Sequence, residues 1–162
     1  MKFNSVITAF AAAFLLAACS TKPSESADSY EAMLQYLNDD AAVAYVDCGD
    51  QHLMLVSQET YGEDTTTNLN AISASVFAKD SIGKIICLGS IRSQGTLYPV
   101  SESHGLLMTA GHHFVNEYKV EGNPADLSLE YTDETDTLKL KTKFDQFEKA
   151  TPLKFNKIKV VK

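Results

Sequence analysis

Residues 42–57, "AVAYVDCGDQHLMLVS", carry the strongest indication of the fold. Apolar side chains alternate with polar ones on both sides of Gly49-Asp50, and a two-residue turn in which glycine takes a positive φ is typical of a β-hairpin. The register imposed by this turn predicts four cross-strand pairs: Val46–Leu53, Ala44–Leu55, Tyr45–Met54 and Asp47–His52.

Short alternating or apolar runs continue to the end of the chain, with turn residues between most of them. They are "AISASVFA" (71–78), "GKIICLGSIR" (83–92), "TLYPV" (96–100), "GLLMT" (105–109), "HHFVNEYKV" (112–120), "LSLEYT" (127–132), "TLKLKTKF" (137–144) and "LKFNKIKVVK" (153–162). The last run predicts an edge strand, because lysines on an edge discourage pairing with other chains. Many short strands predict a mainly β fold, an antiparallel β-sandwich or small β-barrel.

One short helix precedes these strands. Asp28 followed three residues later by Glu31 forms a capping-box pattern. Tyr30, Met33, Leu34 and Leu37 have the spacing of one helix face. We therefore predict an N-terminal amphipathic helix over residues 29–38.

The N-terminus has the layout of a secretory signal. Lys2 precedes thirteen residues, 6–18, of which Thr8 is the only polar one. That run is the length of a signal-peptide hydrophobic region and shorter than the ~20 residues of a membrane-spanning helix. Residues 16–19, "LAAC", end the run.

This "LAAC" resembles the lipobox of bacterial lipoproteins. The resemblance implies cleavage before Cys19, lipidation of its sulfur with diacylglycerol, and acylation of its amino group, for instance with palmitate. It predicts three regions: a lipoprotein signal peptide (1–18), a lipid-anchored flexible tether (19–28) and a single mainly-β domain (29–162). Two or more acyl chains provide stable membrane attachment, which one chain does not.

The residue after the cysteine decides the membrane in that family, where aspartate retains the protein in the inner membrane. Ser20 occupies this place. The resemblance therefore implies an outer-membrane location in the cell envelope, facing the periplasm or the cell surface.

Charge excludes some partners. Without residues 1–18 the chain has 13 basic and 21 acidic residues, a net charge of −8. An acidic protein is a poor match for nucleic acid, which attracts lysine and arginine clusters. Residues 19–142 alone carry a net charge of −12, which suits a cationic protein partner or simply confers solubility. The oligomeric state is left open.

Cys48 and Cys87 remain once Cys19 is lipidated. In an oxidising compartment two cysteines most simply form a disulfide, and the alternative is two buried thiols.

Histidines are the candidate metal ligands. His112 and His113 are adjacent, and His104 or His52 could complete a site. Neighbouring side chains of a strand point to opposite faces, so the pair would need a bulge at Gly111. A turn at Ala110-Gly111 would place His112 opposite Thr109. The competing interpretation is that these are ordinary histidines at the end of a hairpin.

Other patterns of reactive side chains are incomplete. His52 opposite Asp47 could act as an acid–base pair or be a solvated cross-strand pair, and no GxSxG motif accompanies it. Two acidic groups, Glu59/Glu63/Asp64 and Asp133/Glu134/Asp136, lack the spacing of a twelve-residue calcium loop. We therefore expect no enzyme activity and no cofactor, and predict a non-enzymatic binding module tethered to the outer membrane.

A second resemblance gives an alternative function. "YVDCGDQHLMLV" and "SQGTLY" are similar to two motifs of the membrane-bound inhibitors of C-type lysozyme, each with one inserted residue. The resemblance implies that Ser93, Gly95 and Tyr98 form a loop that enters the lysozyme cleft. The family's second cysteine lies near the C-terminus, whereas Cys87 lies mid-chain. The other alternative is a metal-binding protein that uses His112 and His113.

Overall fold

The computed structural model describes residues 29–121, 128–130, 132 and 135–158. Its elements in chain order are α1 (Tyr30–Leu34), β1 (Ala42–Cys48), β2 (Gln51–Ser57), β3 (Thr60–Tyr61), β4 (Asn70–Ala71), β5 (Ser73–Lys79), β6 (Ile85–Arg92), β7 (Ser101–Ser103), β8 (Leu106–Gly111), β9 (Phe114–Lys119), β10 (Ser128–Glu130), α2 (Thr137–Phe147), β11 (Thr151–Pro152) and β12 (Asn156–Lys157). Within these residues the strands form two five-stranded antiparallel sheets and a two-stranded ribbon. The predicted mainly β class is confirmed, as a sandwich.

The β1–β2 hairpin forms as predicted. All four predicted cross-strand pairs are present, and Gly49 has a φ of +60° at the turn. Because side chains alternate, one face of the hairpin points into the sandwich and the other points outward.

Two meanders and a returning C-terminal segment build the sandwich. Sheet 1 has the order β12-β1-β2-β5-β6, and sheet 2 has the order β10-β9-β8-β7-β11. The segment 151–157 supplies an edge strand to each sheet, so it ties them together. Between those strands, Phe155 exchanges backbone hydrogen bonds of 2.8 and 2.9 Å with Leu69, and its side chain is fully buried.

The main core lies between the sheets. Its buried residues from sheet 1 include Ala44, Leu53, Leu55, Val76 and Ile91, and those from sheet 2 include Leu107 and Tyr118. Smaller clusters cover the outer faces, where α1 packs on sheet 1 and α2 packs on sheet 2. The molecule thus has four layers, helix–sheet–sheet–helix.

Helix α1 is shorter than the predicted span of 29–38. Ser29 is its N-cap, where the side chain accepts a 3.1 Å hydrogen bond from the Ala32 N–H. After Leu34 the backbone bonds become i→i+3, from Tyr36 to Met33 and from Leu37 to Leu34. The chain therefore tightens into a turn before β1 instead of continuing the helix.

Helix α2 replaces the strand predicted over "TLKLKTKF". Asp136 caps it by accepting a 3.0 Å hydrogen bond from the Lys139 N–H. The Leu-Lys alternation does not correspond to a buried strand face, since Leu138 is 75% exposed. The spacing that decides the structure is helical, because Phe144 and Phe147 pack on sheet 2 three residues apart.

A buried ion pair holds α2 to sheet 2. The Lys143 ammonium donates to the Glu117 carboxylate of β9, and only 16% and 8% of the two side chains are exposed. Glu130 lies 3.9 Å from the same ammonium. Burial makes this pair a strong constraint on where the helix sits, because either charge alone would be costly to bury.

The turn of the β8–β9 hairpin lies two residues later than predicted. Gly111 pairs with Phe114, so His112 and His113 form the turn and Thr109 faces Asn116. Of the strand predicted over 153–162, only Asn156–Lys157 pairs with β1, and residues 159–162 lie outside the described part.

The predicted Cys48–Cys87 disulfide does not form. Cys48 is a free, buried thiol whose side chain lies in the core between the sheets. Cys87 packs on the opposite face of sheet 1, with β2 and β5 between the two strands. Three strand spacings of about 4.8 Å exceed the Cα separation that a disulfide permits.

Candidate binding site

An open cleft lies on the outer face of sheet 1, beside α1. It has a volume of about 670 Å³ and is lined by Tyr30, Glu31, Tyr45, Gln51, His52 and Lys79. We call it the aromatic cleft. Its size lies within the range typical of small-molecule sites, about 300–1,000 Å³.

Strand alternation and the short helix together create the cleft. Outward-facing Val43 and Met54 are buried beneath α1, whereas Tyr45, on the same face, remains 43% exposed. The paired register between β2 and β5 ends at Met54–Phe77. His52 and Lys79 lie beyond that pair, where the described residues form no further β2–β5 pair.

Three rings form the floor of the cleft. Tyr45 and His52 are diagonal neighbours across the hairpin, with ring planes 2° apart and centroids 5.9 Å apart. The Tyr30 ring is 6.0 Å from each and tilted by 55° and 53°. These ring contacts hold the three side chains in place and still leave part of the Tyr45 ring exposed.

Tyr30 fixes helix α1 to the end of the β2–β5 ladder. Its hydroxyl donates a 2.6 Å hydrogen bond to the His52 carbonyl and lies 3.3 Å from the Phe77 carbonyl. Burial, and secondly the nearby Tyr45, raise the pKa of Tyr30 to about 12, so the phenol stays protonated.

Opposite charges flank the rings. The Lys79 ammonium lies 5.8 Å from the centre of the Tyr30 ring, within the range of a cation–π contact. Hydrogen bonds from its own backbone N–H and from Ser29 lower the pKa of Glu31, which is therefore a carboxylate at neutral pH. The cleft thus offers apolar ring faces beside both a donor and an acceptor group.

The predicted Asp47–His52 pair adjoins the cleft. The Asp47 carboxylate is 2.6 Å from His52 Nδ1, and 80% and 59% of the two side chains are exposed. The residues that line the cleft include no serine, threonine or cysteine. This arrangement can orient the imidazole, but the lining includes no serine hydroxyl, threonine hydroxyl or cysteine thiol for it to activate.

The other predicted metal ligands lie apart from the cleft. His112 and His113 have ring centroids 6.4 Å apart, and His112 contacts Tyr98 edge-on at 5.7 Å. His104 has a φ of +52° in the β7–β8 turn, and its Nδ1 lies 2.8 Å from the Ser103 hydroxyl. Among the described residues no group of three histidine, cysteine, aspartate or glutamate side chains is arranged to hold a metal ion.

Ser93, Gly95 and Tyr98, the residues that the resemblance places in an inhibitor loop, have three different environments in the structure. Ser93 is buried, with its hydroxyl accepting a 3.1 Å hydrogen bond from the Ala110 N–H. Gly95 has a φ of +90° at the bend. Tyr98 packs against Phe144 and Phe147 beneath α2. Gln94, Thr96 and Leu97 are the exposed side chains of this loop, whereas Ser93 is buried and Tyr98 is partly buried.

The acidic residues considered for calcium have internal partners. Burial opposes ionisation of Glu59, but hydrogen bonds from Ser73 and Arg92 outweigh it and lower the pKa of that carboxyl. Hydrogen bonds from Thr66 and Thr67 lower the pKa of Asp64 to about 2. Asp136 is the cap of α2, Glu63 is exposed, and Asp133 and Glu134 lie outside the described residues.

Sequence reasoning missed the cleft as a unit. The hairpin register correctly placed Tyr45 on the same face as Asp47 and His52. Nothing in the pattern indicated that α1 would bring Tyr30 and Glu31 to this face, or that β5 would bring Lys79.

Cys19 lies outside the described residues, and every helix within them is too short or too polar to cross a bilayer.

Comparison of the chain with protein-family models, curated protein sequences and solved structures finds no match.

Proposed function

We propose that this protein is a lipid-anchored component of the bacterial outer membrane whose β-domain is a non-enzymatic binding module. In this proposal Cys19 attaches the protein to the membrane and the aromatic cleft receives the ligand. The observation that carries the binding role is the cleft itself, with three packed rings and two opposite charges around an open volume of about 670 Å³.

Several features support binding over catalysis at this place. A pocket lined by aromatic rings with a few polar groups is the usual form of a small-ligand site. The polar side chains at the rim, Glu31 and Lys79, are exposed and flank the rings. The Asp47–His52 pair adjoins the cleft, and the lining includes no serine, threonine or cysteine that the pair could activate.

The sequence resemblance supports the envelope location. The "LAAC" motif, the preceding apolar run and Ser20 all agree with an outer-membrane lipoprotein. Membrane attachment is tested by metabolic labelling with an alkyne-palmitate in a Gram-negative host. Wild-type protein should be labelled and Cys19→Ala should not; labelling of Cys19→Ala would contradict the anchor.

The outer-membrane assignment has a separate test. Ser20→Asp should move the protein into the inner-membrane fraction on a density gradient, while Ser20→Ala should stay with the outer membrane. A wild-type protein found in the inner-membrane fraction would contradict the assignment.

The binding role is tested by affinity capture from the intact envelope with the protein on its native anchor. Wild-type protein should retain a ligand or partner that Tyr45→Ala loses, because that substitution removes the exposed ring of the cleft. Tyr36→Ala, which removes an exposed tyrosine that does not line the cleft, is the matched control and should retain it. Identical capture by all three proteins would exclude the cleft as the binding site.

A further inference from the structure

The exposed surface of Tyr45 is a platform for stacking. Its ring packs parallel to His52 and near Tyr30, and 43% of the residue remains exposed to the cleft. The face of an aromatic ring carries partial negative charge and attracts weakly positive C–H groups. A ligand with a flat array of C–H groups would therefore gain both burial and electrostatic attraction here.

The rim of the cleft has both hydrogen-bond donors and hydrogen-bond acceptors. The Glu31 carboxylate accepts and the Lys79 ammonium donates. Because its Nδ1–H donates to the Asp47 carboxylate, the neutral His52 imidazole accepts through Nε2. Neighbouring hydroxyl groups on one ligand, each able to donate and accept, fit such a mixed rim.

Exposure of the charges limits what they contribute. Glu31 and Lys79 are both exposed side chains. Ion pairs made by exposed groups contribute little affinity, because water and salt screen them. A ligand held mainly by its own charges, such as an amino acid or a dipeptide, would therefore bind more weakly than a neutral ligand that stacks.

From these observations we infer that the aromatic cleft binds a saccharide, with a pyranose ring stacked on Tyr45 and its hydroxyl groups bonded to Glu31, Lys79 and His52. The inference rests on the proposed binding function and specifies its ligand class. The open shape of the cleft suits a segment of an oligosaccharide, since the ends of a longer chain can leave it without a clash.

The test uses the full-length lipoprotein in a detergent without a sugar headgroup. The protein is applied to an array of neutral, amino and acidic oligosaccharides, and the strongest binder is then titrated by calorimetry. Wild-type protein should bind at least one saccharide, and Tyr45→Ala should weaken that binding about tenfold or more.

Two further variants separate stacking from loss of folding. Tyr45→Phe keeps the ring and should bind within about twofold of wild type, since the platform is retained. Tyr36→Ala should be unchanged. Circular dichroism of all variants checks that each remains folded, so a folded Tyr45→Ala that has lost binding supports the inference.

The negative outcomes distinguish the inference from the proposed function. If alanyl-alanine binds through Tyr45 and no saccharide does, the saccharide assignment is overturned and the cleft remains a binding site. Saccharide binding that is unchanged in Tyr45→Ala overturns the assignment of the platform. If neither probe binds and the envelope capture also finds no Tyr45-dependent ligand, the proposed function fails as well.

Discussion

The two outer faces of the sandwich are covered by helices of different length, and the cleft beside the shorter helix is the larger, about 670 Å³ against about 400 Å³ beside α2. Helix α1 has five residues, about 8 Å, and α2 has eleven, about 16 Å, at 1.5 Å per residue. Beneath α2 the aromatic rings Tyr98, Phe144 and Phe147 pack on one another. Beside α1, Tyr45 and His52 stack on each other and remain open to solvent.

The polar residues follow the same division. Glu117 of sheet 2 is buried against Lys143 of α2, so its charge is used in holding the helix. Asp47 and His52 of sheet 1 pair with each other in solvent, where the pair holds no helix in place. An ionic pair therefore fixes a helix where the pair is buried, whereas an exposed carboxylate–imidazole pair beside an uncovered part of the sheet borders a cleft.

The largest expected effect comes from breaking the buried pair. Lys143→Met leaves Glu117 buried without its partner and should lower the free energy of unfolding by about 3 kcal/mol. Urea denaturation at pH 7 measures it. Lys141→Met is the matched control, because Lys141 pairs with Asp145 in solvent and its loss should matter little. Equal effects of the two substitutions would mean that α2 is not held by the buried pair.

A smaller effect is expected on the side of α1. Tyr30→Phe keeps the ring but removes the hydroxyl that donates to the His52 carbonyl, and should lower the free energy of unfolding by about 1–2 kcal/mol. Ligand binding at the cleft should weaken with it, because α1 positions Glu31. A variant as stable as wild type would show that the hydroxyl does not fix the helix.

Alkaline pH tests the burial of two side chains, Tyr30 of α1 and Cys48 in the core between the sheets. Burial raises the pKa of Tyr30 to about 12 from 10.0, and that of Cys48 to about 12 from 9.0. The unfolded chain therefore loses these protons from about pH 9 upward while the folded protein keeps them. Stability should be complete below about pH 9 and fall as the pH rises to about 12. The double variant Tyr30→Phe/Cys48→Ala should show a shallower decline; an unchanged slope would contradict this origin.

The helix caps provide a matched pair of substitutions. Ser29→Ala and Asp136→Ala each remove one hydrogen bond to a helix N–H and should each cost about 1 kcal/mol. Hydrogen exchange should separate them: Ser29→Ala should accelerate exchange around the aromatic cleft, and Asp136→Ala should do so in α2. Acceleration spread evenly over both faces would argue against independent helices.

Tyr45→Ala should have the smallest effect on stability, about 0.5 kcal/mol, because a partly exposed cross-strand ring contributes little to folding. Thermal denaturation measures it. The same substitution is expected to abolish most ligand binding, so the comparison predicts a residue that matters for function more than for folding. A loss of stability as large as that of Lys143→Met would remove the distinction between the two faces.

The local sequence pattern predicted the structure correctly where two paired strands lie close together in the sequence. The Gly49-Asp50 turn fixed the register of β1 and β2, since the two strands follow each other directly and alternate in polarity. The local pattern was misleading over residues 137–144. Leu-Lys alternation there is compatible with a strand or a helix, and the contact of Phe144 and Phe147 with sheet 2 favours the helix. The cysteines illustrate the same limit, because their faces and separation depend on the order of strands in the sheet.

Period, turn residues and a contiguous motif act over a few residues. They were sufficient to predict the mainly β class, the first hairpin with its Asp47–His52 pair, and a lipidated Cys19. Three features appear only in the tertiary structure: the early end of α1, the free thiol of Cys48, and the meeting of Tyr30 and Lys79 with Tyr45 and His52. These features depend on which buried surface each element finds in space, and neighbouring residues along the chain do not specify that surface.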